Sequence, residues 1–570
     1  MKILSLIKKQ LPLILLTTFL HALSALCALF MPYEMGIIVS QGIKLQNATI
    51  LKECGIIMGV LAISTLVLSL VTVRLNAKIS NDFEKQLKIS VFKKINSLTF
   101  EEFSSIGTSG LLTRVNDDIS TLRQTFSNTI FLIISILVYY VGGVVLVMIK
   151  DKLIGIIMLC ISPIVLLICW LLASKLDKLW EYGDKMADAQ NKHVRERMSG
   201  IRVLRAFDKE QEKHNKTSEA TKEMVLSFIT ANRLSGLINP IITVVFSLAT
   251  VAIIAVSADR ISYQSALNAG DIISSIQYIS LISSGLLMLS WSLSWLPHVA
   301  VSARRIGDIF AFNENKSDEN EELLTGDINI KDLTFTYPEA GAPTLKNINF
   351  SIKQGQKVAI IGGTGSGKST LIKLLLNFYQ PDSGTINFGG TLYTKTNFKQ
   401  VRKSVSVALQ KAMIFQGTLL DNITCFSNEY NEEKVKEVVS VAQLDQFLVE
   451  KGGLSFELKQ LGTNVSGGQK QRINIARTII KDSSLYIFDD SFSALDFLTE
   501  SQLRSRLREY LKGKSQLIIT QRISTAMHCD SIYVMDRGEI IAFGSHEELL
   551  KNCEVYQEIA MSQLDKEELN

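Results

Sequence analysis

The first 304 residues contain six stretches of at least 20 positions free of Asp, Glu, Lys and Arg: Gln10–Tyr33, Cys54–Val73, Gln124–Ile149, Leu153–Ser174, Leu234–Ala258 and Ile272–Ala303. Crossing about 30 Å of hydrocarbon takes about 20 helical residues, so each stretch predicts a membrane-spanning helix. No comparable stretch follows Arg304. The polar connections alternate between short (34–53, 150–152, 259–271) and long (74–123, 175–233). Within the long ones, Lys178–Arg197 and Glu210–Lys222 mix charges without Gly clusters, which predicts exposed helical extensions of the spans. Their centres, Phe100–Gly110 and Met198–Phe207, break that pattern with Ser and Gly, as a reversal of chain direction would.

Beyond Arg304 the periodicity changes. Asn313–Glu322 is polar and acidic, and short apolar runs of strand length follow it. The predicted organisation is an α-helical membrane domain of six transmembrane helices over 1–310, a linker over 311–326, and an α/β domain over 327–570. Residues 549–570 read as one closing amphipathic helix.

Composition sharpens this division. With 47% hydrophobic and 20% charged residues over 570 positions, and a mean hydropathy of +0.22, the chain is neither disordered nor an ordinary soluble enzyme. A net charge of +5 from 60 basic and 55 acidic residues carries no nucleic-acid signature. The long connections hold about twenty Lys and Arg against about five in the short ones, which places them and the basic N-terminus in the cytoplasm of a multi-pass cell-membrane protein. The N-terminal apolar run is long for a signal peptide and lacks an A-x-A site, so it reads as a first span. Seven scattered cysteines show no CxxC or metal-ligand spacing and read as packing residues.

The most informative stretch is KVAIIGGTGSGKST, residues 357–370. A strand at Val358–Ile361 runs into Gly362-Gly363-Thr364-Gly365-Ser366-Gly367-Lys368-Ser369, and a helix continues from Thr370. This is the strand–loop–helix context of a phosphate-binding loop. Its glycines let backbone N–H groups converge on phosphate oxygens at a helix N-terminus. Lys368 would reach the β/γ-phosphates, and the Ser369 hydroxyl would hold Mg²⁺. A second strand, Ser484–Phe488, ends in Asp489-Asp490, acids placed to order the metal at the carboxyl edge of a sheet. Between them, Val465-Ser466-Gly467-Gly468-Gln469 precedes a helical stretch.

In order and spacing these motifs resemble the ATPase of ABC transporters: FTYP with Tyr337, the phosphate loop, Gln410 after VSVAL, the VSGGQ signature, LYIFDD, and SALD at 493–496. The segments GLLTRVNDDI (110–119) and SGIRVLRAF (199–207) extend the resemblance to the exporter type, in which the membrane half precedes the ATPase on one chain. The resemblance implies that Tyr337 stacks on adenine and that Gln410, with Ser369 and Asp489, serves Mg²⁺. It implies that Ser466, Gly467, Gly468 and Gln469 close on the ATP of a second ABC half-transporter, with Ser493 and Asp496 in the adjoining D-loop. It also implies that the loop centres near 100–108 and 199–205 are coupling helices seated on the ATPase domains.

Two positions depart from the family pattern. Members that hydrolyse ATP efficiently carry Glu after the Asp that ends the second strand, and this chain has Asp490. One methylene less sets the carboxylate about an ångström too far back to polarise a water, and misplacing a general base commonly costs about 10²–10⁴ in rate. The switch histidine expected after QLIIT is Gln521, which can donate to a phosphate but cannot take up positive charge. His528, seven residues after Gln521, reads as a surface residue. The two departures serve one phosphate, which points to a degenerate catalytic pair in a site kept for binding ATP. The expected assembly is a heterodimer whose other chain supplies the Glu and the His.

The spans offer few polar groups: His21, Trp170, Trp291, Trp295 and His298 stand out, together with the many Ser and Thr of the sixth span. So apolar a bundle, in contact with the lipid bilayer, suits a hydrophobic or amphipathic small-molecule substrate of multidrug or lipid type. A dedicated exporter of one metabolite or peptide, and an ATP-gated regulatory or channel-like protein, stay open as alternatives.

Overall fold

The apolar stretches of the first half fold as long helices. In the computed structural model, which describes residues 2–262, 268–312, 322–338, 340–394 and 397–563, the chain divides into two compact units. One comprises Met1–Asn96 and Ile106–Phe312, the other Ser97–Ser105 and Asn313–Asn570.

In the first unit, five helices among the described residues are long and apolar enough to cross a membrane: Gln10–Ile43, Ala48–Asn96, Thr108–Lys150, Lys152–Ser199 and Glu210–Ser257. The sixth apolar stretch lies in the helix Ala269–Ala311, part of whose side chains fall outside the described residues. Ala48–Asn96 has 49 residues, which at 1.5 Å per residue is about 70 Å, more than twice the hydrocarbon thickness. Its polar second half is therefore the helical extension that the charge pattern predicts. Polar pairs join the helices where apolar contact alone would not fix their register. Asn76 donates to the Ser127 hydroxyl at 2.7 Å, and the Ser24 and Ser69 hydroxyls lie 3.1 Å apart. Buried Asp118 accepts from Ser302 at 2.7 Å, tying the last helix to the π-helical turn Arg114–Asp118.

A charged pair closes one end of the bundle. Lys150 sits 2.9 Å from Asp271 and 4.8 Å from the ring centroid of Tyr33, with both charged side chains largely buried. Asp271 also caps the last helix, its carboxylate accepting from the Asn268 N–H at 3.2 Å. Lys150 thus gathers three chain segments, its own and those of Tyr33 and Asp271.

The second unit is built on a six-stranded sheet. Its strands are β1 (Lys357–Ile361), β2 (Val405–Ala408), β3 (Leu485–Asp489), β4 (Ser515–Thr520), β5 (Ser531–Asp536) and β6 (Glu539–Gly544), in the order β6-β5-β1-β4-β3-β2. All pairs are parallel except β5–β6. The central strands are almost wholly buried, which is why they read as continuous apolar runs without alternation. An antiparallel sheet of Leu345–Ile352, Ile328–Phe335, Ser383–Phe388 and Thr391–Leu392 packs into the same core as β1.

Residues 97–105, from the centre of the first long connection, belong to this second unit. Phe100 stacks on Phe378 with centroids 4.8 Å apart and planes 11° from parallel, and meets Tyr379 edge-on at 5.7 Å. The other loop centre forms the helix Ile201–Ala206 in the first unit, leaving Met198, Val203 and Phe207 exposed. The expected single closing helix is instead two, His546–Asn552 and Glu554–Met561, broken at Cys553, whose extended backbone interrupts the helical path.

Lys150→Met leaves the Asp271 carboxylate without its partner and is expected to cost about 1–3 kcal/mol. Thermal denaturation of the solubilised chain should show the loss, with Lys150→Arg retaining most of the stability.

Candidate nucleotide site

The parallel register of the sheet assembles the site. Thr520 of β4 lies opposite Ile361 of β1, and Ile519 opposite Asp489 of β3. The residues leaving these strands (Gly362, Asp490 and Gln521) therefore emerge together at the carboxyl edge, where open α/β sheets bind ligands. The Asp490 N–H donates to the Ile519 carbonyl at 2.8 Å, extending the pairing by one residue.

The phosphate loop is shaped by close approach. A Cβ on Gly362 would fall 2.1 Å from the Met535 carbonyl oxygen, and one on Gly367, at φ +101°, 2.6 Å from Leu345 Cδ2. No other residue fits either position. The helix Lys368–Leu375 follows. Lys368 curls back over the loop, donating to the carbonyls of Gly362 and Gly363 at 2.9 and 2.6 Å and to the Ser366 hydroxyl at 3.1 Å.

A cavity of about 290 Å³ opens here, lined by Thr344, Thr364, Gly365, Gly367, Lys368, Ser369, Thr370, Gln410, Asp489, Asp490, Ile519, Thr520 and Gln521. The intact loop, both acids, Gln410 and the switch position thus face one space. Burial pushes the Asp489 carboxyl up to about 6, with the adjacent Asp490 adding to the rise while Gln410 and Lys368 oppose it. Burial likewise lowers Lys368, partly offset by Asp489 and Asp490. The oxygens of Ser369, Gln410 and Asp489 form a hard donor set that suits Mg²⁺, and the loop suits a polyphosphate. Bound Mg–ATP would supply the phosphoanhydride bond; the chain supplies the cradle, the counter-charge and the positioning groups.

Asp490 adopts φ +45°, a left-handed conformation that Asp tolerates better than most side chains. Its carboxylate accepts from the Gln410 amide at 3.4 Å. The Gln410 segment is itself held by the helix Gly467–Ile480: Gln471 donates to the Gln410 carbonyl at 2.6 Å and Asn474 to that of Leu409 at 3.0 Å. Tyr337 lies outside the cavity lining, half-buried, its hydroxyl 3.1 Å from that of Thr370 and 3.2 Å from the Lys373 ammonium. Ser466 and Gln469 form a capping box at the start of Gly467–Ile480, with Ser466 and Gly467 exposed and outside this cavity. Ser493 donates to the Asp490 carbonyl at 2.8 Å, and Asp496 caps the helix Phe497–Tyr510. His528 is exposed and outside the lining.

Sequence reasoning missed several contributors. Thr344 lines the cavity from outside any motif. Arg522, next to the switch position, donates to buried Glu500 at 2.6 Å and to the Ser493 carbonyl at 3.0 Å. Neither contact has a periodic or compositional signal. In the spans, His21 Nε2 lies 2.9 Å from the Ser135 hydroxyl and 3.2 Å from the Phe131 carbonyl oxygen, and Trp170 is exposed. The side chains of Trp291, Trp295 and His298 lie outside the described residues.

A bundle of membrane-length helices and a phosphate-loop ATPase on one chain define an ATP-driven membrane transporter. The profile of the ABC transporter transmembrane region matches residues 14–286, and the ABC transporter profile matches residues 345–493. The chain belongs to the ABC transporter family. An ABC transporter ATP-binding protein of Mycobacterium tuberculosis is 29% identical over 560 residues, spanning 97% of this chain and 96% of its own length. YfiB, an ABC transporter ATP-binding protein of Bacillus subtilis, is 28% identical over 545 residues, 95% of this chain and 94% of its own. A solved structure of a bacterial Atm1-family ABC exporter with ATP bound shares the fold, with a TM-score of 0.85 at 20% identity over 98% of this chain and 99% of that one.

Lys368→Ala should lower Mg–ATP affinity of the full chain at least tenfold in equilibrium binding, since it removes the buried counter-charge. Because the Asp489 carboxyl titrates at about 6, it is anionic above that pH and protonated below it. Mg²⁺-dependent nucleotide binding should therefore weaken as pH falls from 7 to 5. Asp489→Asn should bind more weakly at pH 7, with a flat profile that the unmodified chain approaches at pH 5.

Proposed function

We propose that this chain is one half of a heterodimeric ABC exporter in which its own phosphate loop holds ATP at a slowly hydrolysing site. One observation carries the reading. Asp490 and Gln521 line the same cavity as Lys368, Ser369 and Asp489, and neither Glu nor His is among the lining residues. The phosphate- and metal-binding groups are retained while both groups expected to manage the attacking water are replaced. Ser466–Gln469 sit at a helix start with Ser466 and Gly467 exposed and outside the lining of this cavity, which suits service to the partner's ATP. The exposed Met198, Val203 and Phe207 around Ile201–Ala206 suit docking of the second coupling helix. The catalytic site would then combine the partner's phosphate loop, Glu and His with this chain's signature.

The substrate class follows from the bundle. Among the described residues, His21 is held by Ser135 and the Phe131 carbonyl of a neighbouring helix, hydroxyls such as Thr17, Thr65 and Thr72 bond back to their own helices, and the spans expose many large apolar side chains. That favours hydrophobic or amphipathic small molecules moved outward across the cell membrane, with the N-terminus and ATPase unit in the cytoplasm.

Purified alone, the chain should bind ATP but hydrolyse it slowly, and co-expression with a Glu- and His-bearing half-transporter should produce dye efflux and ATPase activity. Asp490→Glu combined with Gln521→His should raise the lone chain's turnover by about 10²-fold, the scale of a correctly placed general base. Brisk Mg²⁺-dependent hydrolysis by the unmodified chain would overturn the slow-site reading.

A further inference from the structure

Gln521 reaches the cavity from a short connection between β4 and the four-residue helix Ile523–Ala526. So short a segment has little internal pairing, and its conformation depends on what holds it from outside. The Thr520 hydroxyl accepts from the Arg522 N–H at 3.0 Å. The Arg522 guanidinium is fixed by Glu500 and the Ser493 carbonyl, as described above.

The third hold comes from the far end of the chain. The side-chain amide of Gln563 donates through Nε2 to the Gln521 carbonyl at 2.7 Å. Through Oε1 it accepts from the Ile523 N–H at 3.0 Å. One side chain thus closes on both flanks of Arg522, pairing with the loop as a neighbouring strand's peptide group would. Gln563 is itself well placed to do so. Tyr556 and Ala560, on the helix just before it, are fully buried in one cluster with Ile361, Ile523 and Ala526. The Tyr556 hydroxyl also lies 2.7 Å from His546 Nδ1. The C-terminal helix is therefore packed against the elements that enter and leave the site, and it delivers the amide to the loop.

We propose that Gln563 is a positioning residue for the nucleotide site, holding the Gln521 backbone so that the side chain at 521 faces the γ-phosphate. The proposal rests on the reading of 521 as the switch position. Asn would not serve, because it is a methylene shorter and the amide spans two backbone groups on either side of one residue. Glu keeps the acceptor for Ile523 but places a carboxylate against the Gln521 carbonyl, so it separates the two bonds.

The test uses the full chain in lipid nanodiscs. Amide hydrogen exchange of residues 519–526 is followed with and without Mg–ATP, which needs no hydrolysis. In the unmodified chain ATP should add protection at 521–523. Gln563→Ala should speed Ile523 exchange about fivefold, the scale of one lost hydrogen bond, and erase the ATP-dependent gain. Gln563→Glu should keep Ile523 protected yet lose the gain at Gln521. In the Asp490→Glu, Gln521→His background, Gln563→Ala should lower kcat about three- to tenfold with KM for ATP within about twofold and an unchanged melting temperature. Unaltered exchange and kcat in Gln563→Ala would overturn the proposal, as would a kcat loss matched by an equal loss of thermal stability. A background that stays inactive would count against the slow-site reading alone, because the exchange measurement still decides the role of Gln563.

Discussion

The parallel pairing of β4 with β1 on one side and β3 on the other is the constraint on which the nucleotide site depends. Because Thr520 faces Ile361 and Ile519 faces Asp489, the phosphate loop, the acid pair and the switch position leave the sheet at one level. A one-residue slip in either ladder would turn Asp489 away from Lys368 and move Gln521 off the cavity wall. The close packing of both faces opposes that slip, since it would swap side chains between two cores, moving Leu517 and Ile519 out of one and Ile518 out of the other. Chemistry at the edge is therefore specified by packing beneath it.

That packing also imposes an electrostatic cost that the site must offset. Burial disfavours the charged form of the Asp489 carboxyl, and the adjacent Asp490 carboxylate adds to that cost. The Gln410 backbone hydrogen bond and Lys368 are the compensation the chain carries, with a bound cation as the remaining one. The acid nearest the sheet is thus most constrained, whereas the Asp490 carboxylate, one residue further, is held by the Gln410 amide at 3.4 Å. On the proposed reading, the substitution of a general base falls where the fold demands least, and the residues that bind stay where it demands most.

Much of this was legible in the sequence for physical reasons. Membrane spans and buried parallel strands are long apolar runs, and the phosphate loop depends on glycines whose Cβ positions are sterically closed. Other features left no such trace. Phe100 lies in a stretch whose Ser and Gly content marks a turn, yet its ring stacks on Phe378, nearly 280 positions on. The tail predicts one amphipathic helix, but extended backbone at Cys553 divides it. Arg522 with Glu500 and Gln563 with Gln521 are side-chain bonds between distant segments, and neither periodicity nor spacing encodes them. Patterns report what is buried; they are silent on which polar group meets which backbone.

The same distinction bears on how a slow site could serve transport. For ATP to close two ATPase units, it must bind the closed arrangement far more tightly than the open one, by about 10⁴-fold to move a 1:99 balance to 99:1. That differential comes from groups that meet the phosphates only on closure, which requires the switch loop to be held in place beforehand. A loop left free would spend part of the differential on its own ordering. External anchors on both flanks of Arg522 remove that ordering cost whether or not the residue at 521 can support hydrolysis. On the proposed reading, a site without the Glu and the His therefore still has reason to keep its loop fixed, because closure depends on the backbone that presents residue 521 as much as on the side chain it presents.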